Sequence, residues 1–262
     1  MDVLIVAATA FAASALTLYS GFGLGTILLP AFALFFPVET AVAATAIVHL
    51  LNNLFKGGLL GRKADWPTVL RFGLPAVPAA AAGAWLLAWL GRTETVFTWQ
   101  AMGRNFGPTA AGLAVGGLMI LFALLELHPR FRALRAPRRA LVPGGAVTGF
   151  LGGLTGQQGA LRSIFLLKTG LDPARFVATG VLIAILVDLA RLAAYAATFS
   201  ADSLPAPGRP WLLIGVGVAA ATLGAWIAVR RLEKVTIGFV RGMVAALMLG
   251  IGAAIAAGLI GA

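Results

Sequence analysis

Apolar residues run through this chain in long blocks separated by short basic connectors. A helix needs roughly 20 apolar residues to cross the hydrocarbon core of a bilayer. Blocks of that kind occupy residues 40–60, 68–90, 107–127, 174–198, 211–230 and 235–260. Two others do not fit a single crossing. Residues 3–36 are interrupted at Ser20–Gly25, where the chain reads YSGFGLGTILLP, and residues 141–169 at Thr155–Gly159, within GLTGQQGALRSIF. Each of these predicts two helical arms joined at a glycine turn.

The two halves repeat. At an offset of 134 residues Gly25 falls on Gly159 and Thr45 on Thr179, while Asn53 and Asp188 correspond within one position. The order of elements is the same in both halves, a broken block and then three helices, and such duplication is common in secondary transporters. The division predicted is a first repeat over 1–127, a basic linker over 128–140 and a second repeat over 141–262.

Charge decides how the repeats are related, because Lys and Arg near helix ends accumulate on the cytoplasmic side. If the broken blocks pass straight through, nine basic residues fall on one side and eight on the other, which is no bias. If both turn back, one face collects fourteen: Arg62, Lys63, Arg71, Arg130, Arg132, Arg135, Arg138, Arg139, Lys168, Arg175, Arg230, Arg231, Lys234 and Arg241. The opposite face keeps Arg92, Arg104 and Arg209, and Lys56, Arg162 and Arg191 stay within membrane segments. The expected fold is therefore an all-α polytopic membrane protein of two inverted repeats, each a glycine-broken helical hairpin followed by three transmembrane helices. Both termini would be periplasmic and the 128–140 loop, HPRFRALRAPRR, cytoplasmic.

Composition agrees. Of 262 residues, 60% are hydrophobic and 11% charged, whereas soluble domains run near ~25% charged. The net charge of +11 punctuates apolar segments instead of covering a soluble surface, so nucleic acid is not expected. The chain has no cysteine and only His49 and His128 as histidines, so neither a Cys-based nor a multi-histidine metal site is expected. No Lys or Arg precedes the first apolar run, which argues for a retained first helix over a cleaved signal.

Irregular backbone at membrane depth is tolerated only where protein or water satisfies it. Two breaks entering from opposite sides should meet near the midplane and line a cavity. The arm after each break starts a new helix whose free N–H groups and positive dipole end suit an anion. The alternative is that these glycines are ordinary helix-packing positions. The candidate substrate-binding residues here are Ser20, Gly21, Gly23 and Gly25 in the first break and Thr155, Gly156, Gln157, Gln158 and Gly159 in the second.

Around the breaks, GFGLGTILLP followed by PVETAVAAT, and GGLTGQQGALRSIFLLKTGLDPARFVATG in the second half, resemble the TauE/SafE family of sulfite and organosulfonate exporters. The resemblance covers about residues 4–258. It implies a bacterial inner-membrane anion permease for small sulfur-containing or related carboxylate anions, working as a secondary carrier without a bound cofactor. The second break departs from the family's glycine-rich pattern in carrying Gln157 and Gln158, with Arg162 following, and Pro30 has no proline counterpart.

Ionisable groups inside spans are functional candidates. Arg162 lies about one turn into the second returning arm, and a planar guanidinium suits bidentate contact with an oxyanion; pairing with Asp188 is the structural alternative. Thr45, His49, Asn52 and Lys56 share one helix face by their spacings of four, three and four, with Asn53 beside them. This stripe is a candidate substrate path, His49 being equally suited to an interhelical hydrogen bond and Lys56 to snorkelling toward the interface. Asp188 and Arg191, at i and i+3, can pair locally. As a buried acid Asp188 is a coupling-proton candidate together with Arg191, or else a structural salt bridge. Thr179 completes the set.

The function expected is thus secondary transport, most simply export, of sulfite, organosulfonates or related carboxylates by alternating access. The partners are a small anionic substrate and the lipid bilayer, with a homodimer as the protein assembly in view. Two other classes compete. An intramembrane enzyme would use His49 and Asp188 as an acid–base pair, but no nucleophile motif accompanies them. A membrane scaffold or regulatory subunit would gain nothing from two unwound cores.

Overall fold

The computed structural model describes residues 1–20, 24–199, 208–231 and 237–261. The chain runs through α1 (Asp2–Ser20), α2 (Leu24–Ala33), α3 (Val38–Leu60) and α4 (Trp66–Leu90). A small antiparallel hairpin, β1 (Trp99–Ala101) and β2 (Arg104–Phe106), precedes α5 (Ala110–Leu127) and the single turn α6 (Pro129–Arg132). Then come α7 (Leu141–Thr155), α8 (Gly159–Leu166), α9 (Pro173–Thr198), α10 (Arg209–Arg231) and α11 (Ile237–Ala256). Five of the described helical segments are long and apolar enough to cross a membrane: Val38–Lys63, Trp66–Leu90, Ala110–Leu127, Pro173–Thr198 and Arg209–Arg230.

Local chemistry fixes where several of these helices begin. Asp65 accepts from the Thr68 N–H at 3.1 Å and is followed by a proline-bearing first turn, so α4 starts there. Asp172 does the same for Arg175 at 3.0 Å ahead of Pro173, and Thr109 caps Gly112 at 3.0 Å. In each case a side-chain oxygen satisfies one of the N–H groups that a helix start leaves bare.

Of the apolar blocks too long for one crossing, the second is divided between α7 and α8; the first holds α1 and α2, and residues 21–23 between them lie outside the described residues. α2 continues through Pro30 to Ala33, because proline in a helix removes one N–H donor without ending the turn when packing holds it. The Pro30 ring leaves the Thr26 carbonyl without its partner four residues on.

Helices pack across the halves in matched pairs. α1 lies on α10 and α7 lies on α4, while α5 packs on α11 and α3 on α9. The α4–α7 seam is built from glycine: a Cβ on Gly145, Gly149 or Gly153 would stand 2.1, 2.3 or 2.0 Å from the carbonyl oxygens of Phe72, Ala76 and Ala80. The α1–α10 seam repeats the device, with Gly224 against the Phe11 carbonyl at 2.4 Å. Small residues that let backbones touch are the usual means of joining helices where lipid offers no hydrophobic contrast.

Contacts between helix ends identify two opposite faces. On one, Arg138 donates to the Thr169 carbonyl, the Ala136 N–H to Ile164 O at 3.0 Å, and Arg175 to Asp65 at 2.8 Å. On the other, the Val38 N–H donates to Gly261 O at 3.0 Å, Arg92 to Thr198 O at 2.9 Å, and Trp99 Nε1 to Ala257 O at 2.8 Å. The α7–α8 pair thus begins and ends on one face, where α4 starts. α1 begins beside the start of α10, with Arg209 and Asp2 paired at 2.6 Å.

Candidate functional site

The second break turns on Gly156, the residue after α7, whose φ of +76° lies in the left-handed region that glycine adopts without strain. Its N–H bonds the Gly152 carbonyl at 2.8 Å. The neighbouring carbonyls at the end of α7 are held from α9: Arg191 Nη1 reaches Gly152 O at 3.4 Å, and the Tyr195 hydroxyl donates to Gly153 O. Thr155 is engaged locally, its hydroxyl donating to Leu151 O at 3.0 Å.

The start of α2 lies against the second break. A Cβ on Gly25, the second residue of α2, would lie 2.9 Å from Gly156 O and 3.6 Å from the Thr45 methyl. Gly21 and Gly23 lie outside the described residues, as does the Ser20 side chain. Gln158 precedes α8 without a side-chain cap, so the first N–H groups from Gly159 onward face the break uncovered.

Several polar atoms at this junction are buried with no protein partner: Thr45 Oγ1, both amide atoms of Gln157, Gln158 Oε1 and Arg162 Nη1. Buried polar groups in folded proteins are nearly always satisfied, so these atoms, unlike Thr148 Oγ1 in mid-α7, are candidates for contact with a ligand. Thr26, Gln157, Ala160 and Leu161 also line a cavity of about 20 Å³, together with Phe122, Glu126, Phe131 and Met248. A space of that size holds about one water, so a sulfite-sized anion enters only after movement.

Asp188, fully buried, organises the other side of the break. Its Oδ2 lies 2.6 Å from His49 Nδ1; its Oδ1 accepts from Arg191 Nε at 3.0 Å and faces Gln158 Nε2 at 3.5 Å. Asn53 places its amide nitrogen 3.1 Å from His49 Nδ1 and 3.4 Å from Nε2. With Nδ1–H donated to the carboxylate, Nε2 is the free base of the ring. The local pair with Arg191 and the interhelical bond to His49 are thus both made.

The candidates do not all converge. Asn52 faces away, donating to Ala221 O at 3.2 Å and accepting from Lys56 Nζ at 2.9 Å once its amide is oriented to satisfy both; Ser14 donates to it at 3.2 Å. Lys56 therefore does not snorkel: at 5% exposure its ammonium is held inside the protein. Thr179 is spent on the Asp65 N–H at 2.9 Å, on the face where α4 begins. Thr26 and Glu126 reach the cavity without having been singled out from the sequence, although Thr26 directly follows Gly25. Among the described residues no group of three His, Cys, Asp or Glu side chains could hold a metal ion.

A helical multi-pass membrane protein is the class that the fold defines. Residues 6–255 match the family model described as sulfite exporter TauE/SafE, and the chain belongs to that family. No curated protein and no solved structure matches it. The family is one of membrane transporters, which supports a small anion as substrate and the bilayer as surroundings; it does not support a homodimer.

Proposed function

We propose that this protein is a secondary carrier that exports a small sulfur oxyanion, organosulfonate or related carboxylate by alternating access around the paired breaks. The observation that carries the proposal is the junction itself. Gly25 meets Gly156, and beside them the Gln157 amide and Arg162 Nη1 are buried without partners. An anion seated there would accept from Arg162, from Gln157 and from the first N–H groups of α8, with the helix dipole adding to the attraction.

Charge supports the sign of the ligand. Asp188 is already matched by Arg191, whereas Arg162 and Lys56 lie within electrostatic range of one another. Unmatched buried cations are costly in a membrane interior, and a bound anion offsets that cost.

The contacts at the helix ends favour an inverted relation between residues 1–127 and 141–262. α7 and α8 open on the face bearing Arg62, Lys63, Arg138 and Lys168, while α3 opens on the face bearing Arg92 and Arg209. By the positive-inside rule the first face is cytoplasmic, so the 128–140 loop is cytoplasmic and the termini periplasmic, in a bacterial inner membrane. Alternating access then requires the small cavity beside Gln157 to open toward one face at a time.

The test is flux of sulfite into proteoliposomes. Wild-type protein should carry it, and Arg162→Ala should lose at least about 90% of the rate, the loss of one charge-assisted hydrogen bond. Unchanged flux in the variant removes Arg162 from the site. No flux in the wild type, and no thermal stabilisation by a panel of anions, overturns the carrier assignment.

A further inference from the structure

Within the buried cluster the second ring nitrogen of His49 meets no charged group among the described residues, only the Asn53 amide nitrogen at 3.4 Å. Asp188 cannot take up a proton cheaply, because doing so would leave the guanidinium of Arg191, 0% exposed and 2.8 Å from Oδ1, without its counter-charge. Arginine itself does not release a proton at accessible pH. Of the other titratable groups, Lys56 is held by Asn52 and Glu126 of α5 lines the cavity beside Gln157, whereas His49 joins the cluster directly: its Nδ1 is committed to Asp188 and its Nε2 carries no proton in that tautomer.

The surroundings of His49 set when that nitrogen can be protonated. α9 brings Asp188 and Arg191, α8 brings Arg162, and α3 itself brings Lys56 one helical face further on. α2 has no ionisable residue, and α1 and α10 carry their charged residues at their ends, Asp2 in one and Arg209, Arg230 and Arg231 in the other. One carboxylate thus faces two arginines at His49, with Lys56 farther along α3. Protonating His49 with the anion site empty adds a further positive charge to an already positive pocket. An anion on Arg162 reverses that balance and makes the proton welcome.

Binding couplings of this kind are reciprocal: if the anion raises the affinity for a proton, the proton raises the affinity for the anion by the same factor. We propose that His49 is the coupling-proton site, loaded together with the anion, so that the carrier moves one proton and one anion in the same direction, outward whenever the internal excess of anion outweighs the inward proton gradient. The proposal rests on the anion site being the one described above. The proton sits on Nε2, hydrogen-bonded by Asn53 after its amide turns its oxygen toward the ring, while Nδ1–H stays on Asp188. His49 and Asp188 stand on α3 and α9, one from each half, so the loaded and empty clusters differ at the contact between the halves, where an access change has to be made.

The experiment uses the full chain in proteoliposomes with methanesulfonate, which stays anionic across the accessible pH range, and with the membrane potential clamped at zero. An inward proton gradient of about one pH unit should accumulate the anion about tenfold for one-to-one coupling, with interior acidification read by an entrapped dye. His49→Gln should abolish the gradient effect on whatever exchange flux remains. As a measurement that does not depend on that variant folding, the imidazole nitrogen resonances of His128→Gln protein, which keeps His49 as its sole histidine, should titrate at higher pH with methanesulfonate present. Flux that ignores the gradient, flux driven by the opposite gradient, or coupling retained in His49→Gln would each overturn the coupling proposal and leave the carrier assignment standing. Absence of methanesulfonate and sulfite flux altogether would remove both.

Discussion

Gly25 on α2 and Gly156 after α7 touch backbone to backbone, the glycine of one half lying against the turn carbonyl of the other. The distance of 2.9 Å from an added Cβ to Gly156 O is shorter than real side chains tolerate. Two helix starts are thereby brought to one point, and the unpartnered polar atoms gather around it.

Gly25→Ala should therefore disturb the site more than its size suggests. Overpacking of a tight contact costs about 1–3 kcal/mol, and the displaced turn should reduce anion flux at least tenfold. Gly58→Ala, where nothing lies within 4 Å of an added Cβ, is the matched control. Thermal melting in detergent and proteoliposome flux measure both; equal behaviour of the two variants would separate the Gly25–Gly156 contact from function.

Gln157 offers the opposite combination. Its amide is 5% exposed and satisfied at neither end. Gln157→Leu removes buried polar atoms that have no partner, which should stabilise the protein by about 1 kcal/mol. It also removes donors that the anion would use, so affinity should fall about tenfold or more. Raised melting temperature with lost ligand stabilisation is the expected pair of results. A destabilised variant with intact affinity would give Gln157 a purely structural role.

Asp65, between the α3 and α4 spans, gives a prediction in pH. The Thr68 hydroxyl bonded to it at 2.7 Å, the Thr68 N–H and the nearby Arg175 hold its carboxyl below the usual carboxylate range, outweighing partial burial. A carboxyl depressed on folding contributes stability that is present above about pH 4 and is lost as pH falls through its folded-state value. Asp65→Ala should cost about 0.5–2 kcal/mol at neutral pH through the lost cap. Asp65→Asn, which keeps capping ability, should cost less, and its difference from wild type should vanish on acidification. Melting temperature against pH for the three proteins checks the sign.

The break between α7 and α8 was legible in the sequence because an apolar block too long for one crossing, interrupted by glycine and small polar residues, has to bend or divide within the membrane. The stripe Thr45–His49–Lys56 was legible from spacing alone, and all three are buried. What those residues touch was not. His49 meets Asp188 from 139 positions away, a pairing that no local periodicity encodes. Thr45 and Thr179 occupy equivalent places in the repeat yet diverge, one bare beside Gly25 and the other bonded to the Asp65 N–H. The β1–β2 hairpin was hidden by its turn. Met102 and Gly103 take φ of +50° and +73°, a conformation usually announced by Asn-Gly, and methionine there gives no signal.

The exchange of seams between halves bears on how the protein is made. A ribosome delivers α1 to the membrane long before α10 exists, and α4 before α7, so each early helix waits with its contact strip of small residues facing lipid. Neither half can close on its own during synthesis. Final assembly belongs to the last stretch of translation, and a chain truncated before α10 should be recognised as an orphan by membrane quality-control proteases.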